Sequence, residues 1–354
     1  MTSPSPASNP TPYDGLGPET VLDALDSVGL RGDGRLIQLN SFENRVFQVF
    51  LEDGRVVVAK FYRPQRWSDA QILEEHAFAA ELAAAEIPLA APMPLTIAEA
   101  SPLAAHATAK GTTLVEYATP AGASFRFGVT PRFGGRAPEL EDDDTLERIG
   151  RFIGRMHAVG MQRSFLHRLT LTPETFGAAN RDWLLDQQII PPEAESAWRD
   201  MVDTALAAVR EAFAADPAPR LLRLHGDCHL GNVLWTDATG PHFVDLDDAV
   251  TGPAVQDLWM LLAGDRATAQ RQLASVLEGY EAFHEFDRRE LRLIEPLRTL
   301  RMIHHSAWIA DRWTDPAFPA AFPWFGTPAY WSQQTTQLRE QLEAMAEPAP
   351  SPAG

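Results

Sequence analysis

The sequence predicts an α+β protein in two parts, a strand-rich part followed by a larger helical one. Three observations carry that expectation. A chain of 354 residues is too long for one small core. Up to about residue 130 the apolar residues come in short β-branched and aromatic runs broken by turn signals, as strands require. After Gly134-Gly135 they recur mainly at helical spacing. Strands grouped before helices indicate α+β organisation rather than alternating α/β units.

Taken in order, residues 1–13 are rich in Ser and Pro and are expected to form a disordered tail, as are residues 347–354. An N-lobe is drawn at residues 14–132 and a C-lobe at 133–346. A short helix is expected at 19–28. Strands follow at 36–40 (LIQLN), 45–51 (RVFQVFL) and 55–62 (RVVVAKFY). The polar loop Ser41-Phe42-Glu43-Asn44 separates the first two, and Glu52-Asp53-Gly54 is a hairpin turn between the second and third. Ser68 suits a helix N-cap, and Gln71 three residues on completes a capping box. Ile72, His76, Ala79 and Leu82 then recur near helical spacing, and the helix stops before Pro88. Two further strands are expected around 91–97 and 125–130, with 104–123 reading as a variable loop or hairpin. In the second part, a helix at 144–159 has Leu146, Ile149, Ile153 and Met156 on one face, with Thr145 supporting its start. Another is expected at 193–213. Short strands and turns occupy 221–248, and from 255 the chain is helical again, with Trp- and Pro-rich breaks near 315–323.

Composition narrows the function. Apolar residues make up 45% and charged residues 22%, as in a soluble globular protein. No apolar run is long enough to cross a bilayer. The start, MTSPSPASNPTP, has neither the basic nor the apolar region of a secretory signal. A formal net charge of −18 argues against a nucleic-acid partner. It also means that a polyanionic ligand must be held by local donors and a cation. Cys228 is the single cysteine, so no intrachain disulfide forms. A cytoplasmic monomer with no membrane partner is expected.

The most informative stretch is 222–235, LRLHGDCHLGNVLW. Asp227, four intervening residues and Asn232 follow one apolar strand and precede another. Kinase catalytic loops have this D-x-x-x-x-N spacing, in which the carboxylate orients or deprotonates the attacking hydroxyl and the amide holds Mg²⁺. Gly226 and Gly231 permit tight turns there. A second strand, 242–248 (HFVDLDD), follows a turn at 237–240. Folding the two strands as a hairpin brings Asp245 beside Asn232, where its carboxylate can also bind Mg²⁺. Clustered carboxylates repel one another without a cation, which supports that reading.

The string His225-Gly226-Asp227-Cys228-His229-Leu230-Gly231-Asn232 resembles the catalytic loop of aminoglycoside phosphotransferase and choline-kinase-like enzymes. Residues 39–46 (LNSFENRV), 60–64 (KFYRP), 71–76 (QILEEH), 243–248, 252–262 and 315–324 carry the resemblance further, towards bacterial stress-response serine/threonine protein kinases of the same fold. It spans about residues 17–347, apart from 104–123, which reads as unlike that branch. The resemblance implies a two-lobed protein-kinase-like fold with MgATP between the lobes. It implies Asp227 as proton acceptor, Asn232 and Asp245 as Mg²⁺ ligands, and Ser41 as an ATP contact. It also implies Ser or Thr of a protein, including the enzyme itself, as acceptor. A small-molecule hydroxyl is the alternative acceptor, and a nucleotide-binding regulator without turnover ranks last.

The remaining polar residues fit around this frame. Lys60, on the third strand, needs a partner if buried; nucleotide phosphates and a helix carboxylate supply it. Glu75 is preferred over Glu74, because Ala79 and Leu82 continue its face inward. The loop at Ser41 lacks a G-x-G-x-x-G pattern, but its hydroxyl and nearby N–H groups suit phosphate oxygens. Asp257 starts a helix, either bracing the catalytic loop or serving as an ordinary N-terminal acid. His225 is expected to brace the loop, His229 to do the same or to approach substrate, and His157 to be a satisfied core histidine. Cys228 lacks a base and is not read as a nucleophile. Arg63, Arg66, Arg298, Arg301 and Arg312 read as surface charge or as binders of acidic groups. The aromatic cluster 308–324 reads as a packed helix-terminating segment at a cleft edge, with an acceptor-binding role as the alternative.

Overall fold

Alternating apolar residues build the central strands of an antiparallel six-stranded sheet in the computed structural model, which describes residues 11–350. Its strands are β1 (Gly32–Leu39), β2 (Arg45–Leu51), β3 (Val56–Phe61), β4 (Ala107–Ala109), β5 (Val115–Ala118) and β6 (Ser124–Pro131), in the order β1-β2-β3-β6-β5-β4. One face of β2 and β3 buries Phe47, Val49, Val57, Ala59 and Phe61 with Phe127 and Val129 of β6. The helix α1 (Pro18–Asp26) adds Val21, Ala24 and Leu25 to the same core. Between β2 and β3, Gly54 adopts φ 86°, which the tight turn requires.

One part of this region differs from the expectations above. Residues 91–97 form no strand. Pro92 and Pro94 have no N–H to give to a ladder, so only Met93 and Leu95 donate, to Val129 O and Thr112 O, each at 2.8 Å. Of the two readings of 104–123, the hairpin holds: after a short helical turn, β4 and β5 pair and extend the sheet. The capping box forms as read: Ser68 N donates to Gln71 Oε1 at 2.9 Å and Gln71 N to Ser68 Oγ at 3.3 Å, opening α2 (Asp69–Ala84).

The rest is mainly helical: α3 (Asp143–Gly160), α4 (Ala179–Asp186), α5 (Pro192–Ala214), α6 (Gln256–Trp259), α7 (Arg266–Glu281), α8 (Ile294–Asp311), α9 (Ala317–Ala321) and α10 (Pro328–Ala346). Two small sheets interrupt it, β7 (Leu221–Leu224) with β10 (Val250–Pro253), and β8 (Val233–Thr236) with β9 (Gly240–Phe243). The start of α3 is capped by Asp142, and Thr145 supports it as read, donating its N–H at 3.2 Å and its hydroxyl at 2.5 Å to the Asp142 carboxylate. Leu146, Ile149, Ile153 and Met156 are all fully buried. A Cβ on Gly150 would lie 2.0 Å from the Val276 carbonyl oxygen, so α3 meets α7 backbone to backbone. No helix among the described residues is long and apolar enough to cross a membrane.

The chain divides into two units. The sheet unit holds the chain up to His76, Ala91–Arg132 and Trp313–Ala321; the helical unit holds Ala77–Ala90, Phe133–Arg312 and the chain from Phe322 onward. The expected disordered tails lie mostly outside the described residues. Tyr13, however, is buried and donates to Glu43 O at 2.8 Å, and Glu347 accepts from Arg266 at 2.7 Å.

Within the sheet unit, the late segment 313–321 is tied to the Ser41 loop. Asp315 is 2% exposed and accepts from Arg63 Nη2 at 2.6 Å and Arg45 Nη2 at 3.1 Å. Phe318 meets Phe42 edge-on, with centroids 6.2 Å apart. Burial alone would raise the Asp315 carboxyl, but the Arg63 hydrogen bond and the nearby cations hold it below the usual carboxylate range. Its contribution to stability is therefore present above about pH 4 and lost as pH falls through the lower folded value. Asp315→Asn should cost about 2 kcal/mol at pH 7, because Arg45 and Arg63 lose a buried carboxylate, with Glu43, 3.1 Å from Arg63 Nε, remaining as an anion beside Arg63. Urea midpoints should show the difference at neutral pH and its disappearance in acid.

Candidate active site

The β7 strand buries Leu222 and Leu224 and delivers the chain into the loop 225–231. A single helical turn, Leu230–Asn232, leads into β8, and β8 pairs with β9 in the register Val233↔Phe243. One further bond, Val244 N to Asn232 O at 3.0 Å, closes the hairpin mouth. Asp245 is the next residue. The expected strand 242–248 ends at Phe243, because Asp245 takes φ 62° and ψ 67°, which no strand accommodates; a helical turn, Leu246–Asp248, follows. The side chain of Asn232 turns back to the loop, donating to Asp227 O at 2.9 Å and lying 3.5 Å from Asp227 Oδ2. Asp227, Asn232 and Asp245 thus lie on one loop–hairpin piece.

This piece is braced from below by buried groups. Asp257, fully buried at the start of α6, accepts from His225 N and Gly226 N, each at 2.8 Å, and from His157 Nε2 at 3.0 Å. Of the two roles open to it in the sequence, it takes the bracing one. With His157 Nε2 donating, Nδ1 accepts from Tyr280 OH at 2.9 Å, whose phenol burial keeps protonated. His157 is a satisfied core histidine. Gly226 is irreplaceable on two counts: φ is 83°, and a Cβ would lie 2.1 Å from Asp248 O. His225 links the two strands, donating from Nε2 to Val244 O at 2.9 Å. Gln256 donates to Gly226 O at 2.8 Å, and Arg168 to Asp247 O and Ala249 O at 2.5 and 2.9 Å.

Glu290 supports the entrance to α6 by accepting from Val255 N at 3.1 Å. Burial, reinforced by Asp287, raises its pKa to about 7. A carboxyl raised on folding stabilises most below its unfolded value, near 4.5, and loses that contribution as pH rises through about 7. Glu290→Gln keeps an acceptor and removes the titration. It should flatten the fall in thermal stability between pH 5 and pH 8, a fall of roughly 2–3 kcal/mol in the wild type.

Asp227 itself meets two cations or potential cations. Arg301 Nη1 donates to Oδ1 at 2.7 Å, and His229 Nε2 lies 3.3 Å from Oδ2. Burial would raise this carboxyl, but the His229 hydrogen bond and the Arg301 charge outweigh it and hold it well below the usual range. The sequence offers Arg301 only as surface charge or a binder of acidic groups; its contact with Asp227 spans 74 positions that no spacing rule links, and Arg168 carries no sequence signal. Cys228 is buried, and that burial pushes its thiol pKa up, the reverse of what a nucleophile needs.

On the sheet unit, Ser41 sits in the loop between β1 and β2, its Oγ accepting from Asn44 N at 3.3 Å. Arg63 is neither surface charge nor placed to receive an outside acid. It is 7% exposed and donates to Glu43 O and Phe42 O as well as Asp315, while its own N–H donates to Asn44 Oδ1 at 3.1 Å. Lys60 lies on β3 opposite Val46 and Gly128. Of the two candidate acids on α2, Glu75 is buried and Glu74 partly exposed.

The donor set suits Mg²⁺. Asn232 spends its amide nitrogen on Asp227, which leaves the amide oxygen for a cation, and Asp245 is exposed. No cluster of three or more His, Cys, Asp or Glu among the described residues can hold a metal alone. A site of one amide and one carboxylate needs phosphate and water oxygens, which is how Mg²⁺ is bound with nucleotides.

Comparison with known proteins gives the family of the chain. The model of the phosphotransferase enzyme family matches residues 35–294. Stress response kinase A of Escherichia coli (strain K12) is 45% identical over 336 residues, 95% of each chain. Serine/threonine protein kinase RdoA of Salmonella typhimurium (strain LT2) is 44% identical over the same share of both chains. Among solved structures, an amicoumacin kinase in complex with AMP-PNP, Ca²⁺ and its ligand superposes with a TM-score of 0.70 at 18% identity, over 95% of both chains. A microcompartment-associated aminopropanol kinase gives 0.67 at 15% identity, over 92% of this chain and 98% of its own. These two share the fold. The chain is a kinase, and it belongs to the phosphotransferase enzyme family.

Proposed function

We propose that this kinase is a serine/threonine protein kinase of the bacterial stress response, using ATP and Mg²⁺ and counting its own chain among its substrates. The observation that carries the reading is the Asp227–Asn232 loop, braced as described, in a chain 45% identical to a named stress response kinase. Asp227 is the group that orients the acceptor hydroxyl and receives its proton. Asn232 and Asp245 hold Mg²⁺, which neutralises charge on the phosphates. Lys60, paired with Glu75, holds phosphate oxygens, and the Ser41 loop covers them. Phosphoryl transfer of this kind asks for position and charge neutralisation more than covalent chemistry. The rigid backbone around Asp227 supplies the first of these.

The acceptor is tested directly. The purified chain is incubated with γ-labelled ATP and Mg²⁺, with and without bacterial extract. Label on protein Ser or Thr, including the kinase itself, is the expected result. Label confined to a metabolite fraction identifies a small-molecule kinase, and label in neither identifies a nucleotide-binding regulator.

A further inference from the structure

We propose that Arg301 selects the acceptor: it leaves Asp227 when the acceptor presents an acidic side chain beside its hydroxyl, and it then binds that acid. The inference rests on the protein-acceptor reading above.

As the site stands, both oxygens of Asp227 are engaged, Oδ1 by Arg301 at 2.7 Å and Oδ2 by His229 at 3.3 Å. A hydroxyl that is to be deprotonated needs one of those oxygens. Arg301 is the partner built to move. Its side chain is 44% exposed, and Asp227 is its one hydrogen-bond partner among the described residues. By contrast Arg168, Arg223 and Arg63 are buried, and each is held by two or more groups. With Arg301 44% and Asp227 20% exposed, water reaches the guanidinium side of the pair, so an incoming carboxylate can compete for it.

The surface next to Arg301 suits such a segment. Met302 and His305 of the same helix line an open groove of about 400 Å³ with Trp324, Tyr330, Gln333 and Gln337. Residues 301 and 305 are one turn apart and share a helix face. Among the described residues no carboxylate lines the groove, although the chain as a whole carries a net charge of −18. Aromatic faces and glutamine amides there offer packing and main-chain hydrogen bonds to an extended peptide, one helical turn along α8 from Arg301.

The test uses the full chain, MgATP and synthetic peptides with one central Ser, in which each flanking position is Asp, Gln or Lys in turn. Wild type should favour Asp in at least one position by about tenfold in kcat/KM, the worth of one charge-assisted hydrogen bond. Arg301→Gln should abolish that preference, Arg301→Glu should shift it towards Lys, and Arg301→Lys should restore part of it. A merely structural role would lower the rate on all peptides alike and leave the ratio between Asp and Gln peptides unchanged. Phosphorylation indifferent to flanking charge, or an Asp preference that survives Arg301→Gln, overturns the inference and leaves the protein-kinase reading intact. No label in any peptide overturns both.

Discussion

Asp227→Asn will lower kcat for phosphoryl transfer by about 10²–10⁴-fold, the range that a positioned general base contributes, while ATP affinity stays within about threefold of wild type. The change keeps the shape of the side chain and removes its charge. Asn232 still donates to the main-chain oxygen of residue 227, so the loop keeps its closest bond. Arg301, which donates to Oδ1, and His229, beside Oδ2, both lose an anion. Asp227 is not among the groups assigned to nucleotide or metal, so the loss should appear in kcat and not in nucleotide binding. Steady-state kinetics and direct titration of nucleotide separate the two. A variant that keeps more than a tenth of wild-type kcat would remove Asp227 from the role of base. In the wild type, the depressed carboxyl stays ionised well below its ordinary range. Its contribution to folding is therefore present above about pH 4 and is lost as pH falls through the lower folded value, so stability differences between variant and wild type should shrink in acid.

Asp257→Ala should destabilise the chain by about 3–5 kcal/mol, because a buried charged partner is removed from a satisfied network. Three donors lose their acceptor at once: His225 N, Gly226 N and His157 Nε2. All three belong to buried residues or to a loop with no room for rearrangement, since Gly226 already packs against Asp248 O. An unsatisfied buried N–H costs about 1–3 kcal/mol, so the sum is large even with partial relaxation. Asp257→Asn keeps the volume but turns an N–H₂ towards one of the donors. It should cost roughly half as much and lower kcat about tenfold with little change in ATP affinity. Asp257 touches no substrate in this scheme; its effect on rate runs through the shape of the loop carrying Asp227. Urea midpoints equal to wild type in Asp257→Ala would show that the loop keeps its shape without this carboxylate.

How much of this was legible follows from distance along the chain. The hairpin β2–β3, the Ser68–Gln71 capping box and the loop–hairpin piece from Asp227 to Asp245 depend on residues within a few positions of one another. Spacing and turn chemistry encode such geometry directly, and the sequence alone determined them. It also placed the apolar face of α3 correctly, since a period of 3.6 needs no partner to be read. Where the local code met a competing constraint, it misled: β-branched and apolar residues suggested a strand at 91–97, but two prolines removed the donors. Local pattern also left 104–123 open between loop and hairpin, because β5 becomes a strand by pairing with the edge of β6 and β4 only by pairing with β5. Tertiary structure alone decided the rest. It chose the bracing role for Asp257, made Arg63 and Asp315 a buried tie within the sheet unit, and set Arg301 on Asp227. Each of these contacts joins residues at least 31 positions apart. A contact of that span forms when packing of whole elements offsets the entropy of closing the intervening chain. No single residue or spacing carries that information, because the free energy that makes the contact belongs to the assembled core.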